Sequence, residues 1–155
     1  MGMLPTGQFL LTGAFETSRA GAIVEHVTAC SRDPACVCVA LLKGLRVSPL
    51  VRDSRAFGLC ALGSCSKLLA KKFGPDGESN IVAPQPRHEP DPFDSLVVTT
   101  LTTKSPILTG AIAALDCEVV RHLDFDGDHE LFVGRVLAAV LRRDDHVCGG
   151  PAVSG

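Results

Sequence analysis

The sequence predicts a mainly β fold, in which short strands close or nearly close a barrel and two short helices accompany them. Three observations lead to this prediction. Apolar runs rich in β-branched residues recur, turn-forming Gly, Pro and Asp residues separate them, and only two segments carry helix signals. The chain has 155 residues, about the size of one typical domain. We therefore expect a single domain over residues 1–155.

The first half of the chain contains two clear strand signals. Residues 7–15, GQFLLTGAF, and residues 35–42, ACVCVALL, are short apolar runs of strand length. The segment between them ends in the turn-forming pair Asp33-Pro34. In the second run Cys36 and Cys38 alternate, so both side chains fall on one face of the strand. Because free cysteine behaves as a small apolar residue, we expect both in the core.

The segment VSPLVRDSRAFG, residues 47–58, begins with the signals of a short helix. Ser48 is the candidate N-cap, because a hydroxyl there can accept a hydrogen bond from a backbone amide of the first turn. Pro49 then occupies the first helical position, where its missing amide hydrogen costs nothing. We expect a strand over residues 56–62 after this helix.

A second short helix is predicted in SCSKLLAKKFG. Ser64 is its candidate cap, Leu68 and Leu69 are expected to face the core, and Gly74 ends it. The segment that follows, residues 74–94, holds five of the ten prolines. We predict a long Pro-rich loop there, within the single domain.

The last part of the chain predicts a β-hairpin. Two long β-rich segments, residues 114–123 and 129–141, flank the pair Asp126-Gly127. This pair is a strong hairpin signal, because a tight turn needs a positive φ that glycine adopts freely. The run VLAAVLRR taken alone resembles a helix, but the hairpin signal and the β-branched residues favour a strand.

The stretch DGDH, residues 126–129, has three interpretations. A calcium loop of the EF-hand type needs Gly at its sixth position and Glu at its twelfth. Counting from Asp124, Gly127 is fourth and Arg135 is twelfth, so this interpretation fails. The stretch is then either a solvated hairpin turn or a hairpin that delivers His129 to a functional site. The residues alone leave both interpretations open.

The composition narrows the classes of partner. A formal net charge of −2 gives no electrostatic reason to expect nucleic acid or an anionic membrane. No apolar run approaches the ~20 residues that cross a bilayer. The first basic residue is Arg19, so a secretory signal is not expected and we predict a cytoplasmic protein. The seven cysteines are odd in number and form no CxxC pair, which argues against a zinc site.

Several motifs, in the same order along the chain, resemble those of one known family. The most specific is GDHELFVGRV, and it is accompanied by GQFLLTGAF, CSRDPACVCVALLKG, RVSPLVRDSRAFGLCAL, LLAKKFG, DPFD and SPIL. Together they cover nearly the whole chain, and the chain resembles the flavin reductase family. The resemblance implies an FMN-binding split β-barrel with Greek-key-like connections and a few short helices.

The resemblance also implies where a flavin would bind. The polar edge of the flavin ring is assigned, largely through backbone amides, to Ile23, Val24, Glu25 and His26. The flavin phosphate is assigned to Lys43, Gly44, Arg46 and Ser48. Cations, hydroxyls and a helix N-terminus are the groups that a phosphate prefers. Relatives often carry hydroxyl residues in place of Val24 and Glu25, and an inward-pointing Glu25 carboxylate would repel the phosphate.

The function implied by the resemblance is hydride transfer from NADH or NADPH to bound FMN, with FAD as the alternative flavin. His129 is then the candidate catalytic residue, near the flavin face where nicotinamide docks. The resemblance also implies a homodimer and a partner monooxygenase or other electron acceptor. An alternative function is a non-catalytic split barrel that binds a flavin or another planar cofactor such as haem. The motif GDHELFVG argues against a third interpretation, an oxidase of the pyridoxamine-phosphate type.

Overall fold

The computed structural model describes residues 8–62, 67–74, 77 and 91–142. The strands and helices in these residues are β1 (Phe9–Phe15), β2 (Ser18–Val24), β3 (Val27–Arg32), β4 (Ala35–Leu42), α1 (Val47–Ser54), β5 (Ala56–Ala61), α2 (Lys67–Phe73), β6 (Val98–Thr99), β7 (Ile107–Leu108), β8 (Ala113–Leu123) and β9 (His129–Leu141). The strands predicted from the apolar runs are confirmed, with small differences at their ends. Neither helix of the described residues is long and apolar enough to cross a membrane.

Seven of the strands form one antiparallel sheet in the order β2-β1-β5-β8-β9-β4-β3. The edge strands β2 and β3 are consecutive in the chain, and only Glu25 and His26 join them. Such a short connection spans at most about 11 Å, so the sheet must curl until its two edges approach. Within the described residues no ladder joins those edges, so the barrel is split, as predicted.

The inside of the barrel is filled by side chains from opposite walls and from α1. Leu11, Val39, Phe57 and Phe132 are buried there, and Val51 of α1 packs with them. A second, smaller cluster lies on the other side of β1, where Leu10, Cys60, α2 and the segment around Phe93 and Ile107 meet. Because side chains of a strand alternate in direction, β1 contributes to both clusters.

The predicted hairpin is confirmed as β8 and β9, but its turn differs from the prediction. Five residues, 124–128, connect the strands, and the positive φ belongs to Asp126, at 62°, and not to Gly127. Asp and Asn tolerate this left-handed conformation better than most residues. The backbone amide of Asp126 also donates to Oδ1 of Asp124, at 3.0 Å, which supports the turn.

The first helix begins earlier than predicted. Helix α1 starts at Val47, Arg46 occupies the N-cap position, and no side chain caps the helix. The prediction of Ser48 as the N-cap is therefore wrong. The hydroxyl of Ser48 donates to the carboxylate of Glu130 at 2.5 Å, and this buried partner lies on β9, a long way along the chain. Local sequence cannot reveal such a partner.

The second helix is confirmed in part. Leu69 packs against the smaller core cluster, as predicted. Leu68 is 84% exposed, so its predicted core position is wrong. The core contact at this end of α2 comes instead from Phe73, whose ring lies 5.3 Å from that of Phe93. The predicted cap Ser64 lies outside the described residues, as do most of the Pro-rich loop and residues 143–155.

The cysteines of β4 point away from the core, against prediction. Val37, Val39 and Leu41 are buried, whereas Cys36 and Cys38 are only partly buried on the opposite side. The larger aliphatic side chains bury more apolar area and therefore occupy the interior. The cysteines belong to what we call the outer face, the partly exposed apolar side of β4, β8 and β9, with Ala40, Leu123, Leu131, Val133 and Leu137.

Candidate functional site

A cavity of about 640 Å³ opens where the β1–β2 turn, the segment from β4 into α1 and the base of the β8–β9 hairpin meet. Apolar side chains such as Leu45 and Leu50 form part of its wall. The charged residues that line it are the cations Arg19, Lys43, Arg46 and Arg52 and the carboxylates Asp91, Asp124 and Glu130. Apolar walls with a few convergent charges suit a ligand that has an apolar body and an anionic group.

The segment after β4 presents a lysine and a glycine to this cavity. The backbone amide of Lys43 donates to the carbonyl oxygen of Asp128 at 2.9 Å, and its Nζ lies 2.5 Å from Oδ1 of Asp124. This hydrogen bond is the main reason why the pKa of Asp124 lies below its ordinary value. Gly44 has a φ of 87°, which favours glycine, and an added Cβ would meet no atom within 4 Å. The segment therefore leaves open space beside a cation.

The floor of the cavity contains a buried carboxylate, Glu130, which is 3% exposed. Its Oε2 accepts the hydroxyl of Ser48 at 2.5 Å, and its Oε1 lies 2.6 Å from Nε2 of His122. Nη1 of Arg52 lies 4.0 Å from the same Oε1. The ring of His122 stacks on Phe132 with centroids 4.5 Å apart. Glu130 therefore joins α1, β8 and β9 beneath the cavity.

The opposite wall is held by Arg19 of β2. Its Nε lies 2.6 Å from Oδ2 of Asp91, and one of its terminal nitrogens lies 3.6 Å from Asp94. The guanidinium also lies over the ring of Phe93, 5.6 Å from the centroid. These contacts fix the segment at residues 91–94 against the barrel, where it borders the cavity.

A comparison with known protein families identifies the family of this chain. Residues 1–148 match the family model described as "Flavin reductase like domain". The chain belongs to the flavin reductase family. The resemblance seen in the motifs is therefore confirmed, and the neighbouring solved structures share the split-barrel fold.

Three relatives illustrate the similarity. An FMN reductase (NADH), SmoA of Agrobacterium fabrum (strain C58), is 24% identical over 148 residues, which are 96% of this chain and 77% of the relative. The styrene monooxygenase flavin reductase SMOB from Pseudomonas putida S12 is 28% identical, with a TM-score of 0.70 over 89% of this chain and 81% of its own. The NADH:FAD oxidoreductase SgcE6 of Streptomyces globisporus C-1027, solved with NAD and FAD fragments, is 23% identical. Its TM-score is 0.72 over 90% of this chain and 77% of its own.

Four of the residues implied by the flavin reductase motifs come together in the cavity: Lys43, Gly44, Arg46 and Ser48. They are the group assigned to the flavin phosphate, and their role in binding remains a prediction. The hydroxyl of Ser48 already donates its hydrogen to Glu130. A hydroxyl has a single hydrogen, so Ser48 has none to donate to a phosphate while this contact persists.

The group assigned to the flavin ring lies elsewhere, at the junction of β2 and β3. None of Ile23, Val24, Glu25 and His26 lines the described cavity. The side chain of Val24 is buried in the core, whereas Glu25 and His26 are exposed. The carbonyl oxygen of His26 accepts a hydrogen bond from the amide of Ala40 at 3.1 Å. A flavin contact at Val24 could therefore use only its backbone, as expected from the motif.

His129 begins β9 and lies opposite Leu42 of β4. Its side chain is 40% exposed, and its Nδ1 lies 2.8 Å from Oδ1 of Asp128. This hydrogen bond is the main reason why the pKa of Asp128 lies below its ordinary value. His129 is not among the residues that line the described cavity. Its catalytic role therefore remains a prediction.

The sequence interpretation missed several charged or titratable residues of this site, among them Arg19, Arg52, His122 and Glu130. Strand alternation offered a signal for Glu130. It shares a strand face with Phe132 and Gly134, both of which are buried. An acidic residue on the apolar face of a strand is costly to bury without partners and therefore indicates a functional or structural site. The family motif contains the neighbouring residue His129 and leaves position 130 variable, so the motif predicts a role for the histidine and none for Glu130.

Proposed function

We propose that the cavity binds FMN and that the chain reduces it with NADH, as a flavin reductase. The observation that carries the proposal is the cationic segment from β4 into α1, which borders a cavity of about 640 Å³ in a member of the flavin reductase family. A curated relative is named as an FMN reductase that uses NADH. FAD and NADPH are the alternatives to be compared, because SgcE6 is named as an NADH:FAD oxidoreductase.

The residues of the cavity fit a phosphorylated flavin. Lys43 and Arg46 supply positive charge for the phosphate, as charge-assisted donors do in anion sites. The open space at Gly44 lets an anion approach the backbone closely. Leu45 and Leu50 provide apolar surface for the rest of the ligand. The backbone between Ile23 and His26 is proposed to meet the polar edge of the ring.

When bound, the flavin supplies the hydride-accepting chemistry, and the chain supplies binding and orientation. We propose that His129 borders the position of the nicotinamide ring and helps to align it. Its hydrogen bond to Asp128 limits how far the imidazole can rotate. Such alignment matters because a displacement of about 1 Å between reacting atoms can cost about a hundredfold in rate.

The decisive experiment compares two flavins that differ only by the phosphate. Replacing Arg46 with Ala should weaken FMN on the order of tenfold or more and leave riboflavin nearly unchanged, since a charge-assisted hydrogen bond contributes about 1.5–3 kcal/mol. Arg32→Ala is the control, because Arg32 is exposed on β3 and does not line the cavity. Equal losses for both flavins in Arg46→Ala would remove Arg46 from the phosphate site.

Catalysis needs a separate measurement. The purified chain with FMN is mixed anaerobically with NADH, and the absorbance band of the oxidised flavin is followed. Bleaching with multiple turnovers supports the reductase, and the same titration with NADPH and FAD ranks the alternative substrates. A flavin that binds tightly but stays oxidised with both nicotinamides would instead support the non-catalytic binding protein.

The outer face supports the proposal of a homodimer. Leu123 and Leu137 are 48% and 37% exposed there, next to the partly buried Leu131 and Val133. The charges on this side include Glu118 and Arg135, which pair with each other, and the exposed Arg121, which lies opposite Val133 in the β8–β9 ladder. Soluble monomers rarely expose large contiguous apolar patches, so a second copy of the chain is the proposed cover.

An arginine at the middle of this face tests the homodimer. Val133→Arg would bury a charge without a partner, and we expect monomers by light scattering where the wild type is dimeric. Asp53→Arg, on the exposed side of α1, should leave the dimer intact. If FMN binding is coupled to assembly, dilution to monomers releases FMN and added FMN favours the dimer. A monomeric wild type would refute the proposed interface.

We further propose that reduced flavin passes to a partner monooxygenase. One structural relative is named as the flavin reductase of a styrene monooxygenase, and this chain is 28% identical to it. A dialysis membrane between this reductase and a flavin-dependent monooxygenase tests whether free reduced flavin carries the electrons. Product formation across the membrane supports diffusion of the flavin, and product only in mixed solutions indicates transfer within a complex.

A further inference from the structure

The carboxylate of Glu130 competes for the groups that an anionic ligand would use in the cavity. Glu130 is buried at the cavity floor and yet lines it. Both of its oxygens have donors: Oε2 accepts the hydroxyl of Ser48, and Oε1 contacts Nε2 of His122, with Arg52 at 4.0 Å. A hydroxyl, an imidazole and a guanidinium are also the donors that bind phosphate. In this chain these three donors already contact the carboxylate of Glu130.

Two other cations of the cavity also pair with acidic side chains. Lys43 pairs with Asp124, and Arg19 pairs with Asp91. These two pairs are partly exposed, so water screens them. Glu130 differs because its carboxylate is buried, where a charge acts over a longer distance than in water. Its repulsion therefore reaches a phosphate at the cavity more strongly than that of the exposed acids.

We propose that Glu130 is a specificity-determining residue that lowers the affinity of the cavity for phosphate groups. This inference rests on the proposed function, since it concerns the same flavin site. Glu130 keeps the hydrogen of the Ser48 hydroxyl and repels the phosphate dianion. The chain therefore prefers FMN over riboflavin by less than its cations alone would give, and it releases reduced flavin more readily. Weak retention suits a protein that passes reduced flavin to another enzyme.

The test removes the charge and keeps the shape. Glu130→Gln preserves an acceptor for Ser48 and a polar group for His122. We expect FMN to bind roughly tenfold more tightly, the size of one charged contact, and riboflavin to change by less than about twofold. Quenching of flavin fluorescence measures both affinities. Asp33→Asn is the matched control, because Asp33 is exposed in the β3–β4 turn, about 26 Å along β4 from Lys43.

A merely structural role for Glu130 predicts a different pattern. Glu130→Gln would then lower the melting temperature and leave the ratio of FMN to riboflavin affinity unchanged, which would overturn the inference. An equal gain for both flavins would also overturn it. Should the Gln variant fail to fold, Glu130→Met removes the charge with a side chain of similar length. It also frees the hydrogen of the Ser48 hydroxyl, so the same contrast between FMN and riboflavin is expected.

A titration with inorganic phosphate separates this inference from the proposed function. Calorimetry with phosphate alone requires no flavin, and the Gln variant should bind phosphate more tightly than the wild type. If neither protein binds any flavin, the proposed function fails, while a gain in phosphate affinity still supports the role of Glu130. If both proteins bind FMN but phosphate affinity and flavin selectivity do not change, the inference fails and the proposed function stands.

Discussion

A methyl group added to Gly134 should destabilise the barrel, because this position on β9 has no room for a side chain. An added Cβ would lie 2.4 Å from Cζ of Phe57 and 2.9 Å from Cβ of Cys117. Both neighbours are fully buried. Burial also raises the pKa of the Cys117 thiol to about 12, which reflects how little water reaches this place. The substitution Gly134→Ala therefore forces a movement inside a closely packed core.

Two effects of opposite sign decide the size of this change. Replacing glycine with alanine restricts the unfolded chain and can stabilise a protein by about 0.4–1 kcal/mol where the backbone permits it. Overpacking a core typically costs about 1–3 kcal/mol. The ring of Phe57 is fully buried in the core, and the Cβ of Cys117 is attached directly to the backbone of β8, so neither neighbour can move away easily and the steric cost should prevail at Gly134. For a chain of this size we expect the melting temperature to fall by roughly 3–10 °C.

Thermal unfolding followed by circular dichroism measures this change, with Gly110→Ala as the matched control. An added Cβ at Gly110 would meet no atom within 4 Å, and neither glycine has a positive φ. The control should therefore unfold at the wild-type temperature or slightly above it. A Gly134→Ala protein that is as stable as the control would show that the strands yield easily, and the packing argument would be wrong.

Three further predictions concern single side chains. Asp116 is fully buried and accepts three hydrogen bonds. Asp116→Ala should therefore lower the free energy of unfolding, measured by urea titration, by about 2–4 kcal/mol. A loss smaller than that caused by replacing an exposed Asp with Ala would contradict this prediction. His129→Ala should leave FMN affinity nearly unchanged and slow flavin reduction by NADH about ten- to a hundredfold in anaerobic stopped-flow. Identical traces for the wild type and the variant would show that residues 126–129 are only a hairpin turn. Lys43→Gln should raise the lowered pKa of Asp124 towards its ordinary value, as measured by carboxyl NMR. The pKa of Asp124 is lower in the folded than in the unfolded protein, so the contact between Lys43 and Asp124 stabilises the protein above about pH 4, and this stabilisation is lost as the pH falls through the folded pKa. If the pKa of Asp124 does not change in the Lys43→Gln variant, Lys43 is not the cause of its lowering.

The strand pattern could be predicted from the sequence because its signals are local. Apolar runs separated by turn residues gave β4 with the bounds observed, Ala35–Leu42. Lys43, Gly44, Arg46 and Ser48 follow one another closely in the chain, so any fold that ends β4 there brings them to one place. The family resemblance selected these four residues, and their proximity in the sequence explains why they line one cavity; their role in binding phosphate stays a prediction.

The parts that were missed depend on partners far away in the chain. Both faces of β4 are apolar, and only the packing of α1 and β9 decides that the valines and not Cys36 and Cys38 point inward. The contact between His122 and Glu130 requires the register of β8 against β9, including the irregularity between Val119 and Arg121. No short motif encodes that register, because it is set by how many residues the bulge inserts.

The position of the β8–β9 hairpin in the sheet also governs when the protein can fold during synthesis. This hairpin lies at the centre, with β5 paired to β8 on one side and β4 paired to β9 on the other. Its strands are the last of the described strands to leave the ribosome. The earlier hairpins β1–β2 and β3–β4 therefore keep their apolar faces exposed until β8 and β9 have been synthesised. Exposed apolar surface of this kind favours aggregation and binds chaperones. A nascent chain that stalls before residue 113 holds two edges of a sheet without the middle that unites them.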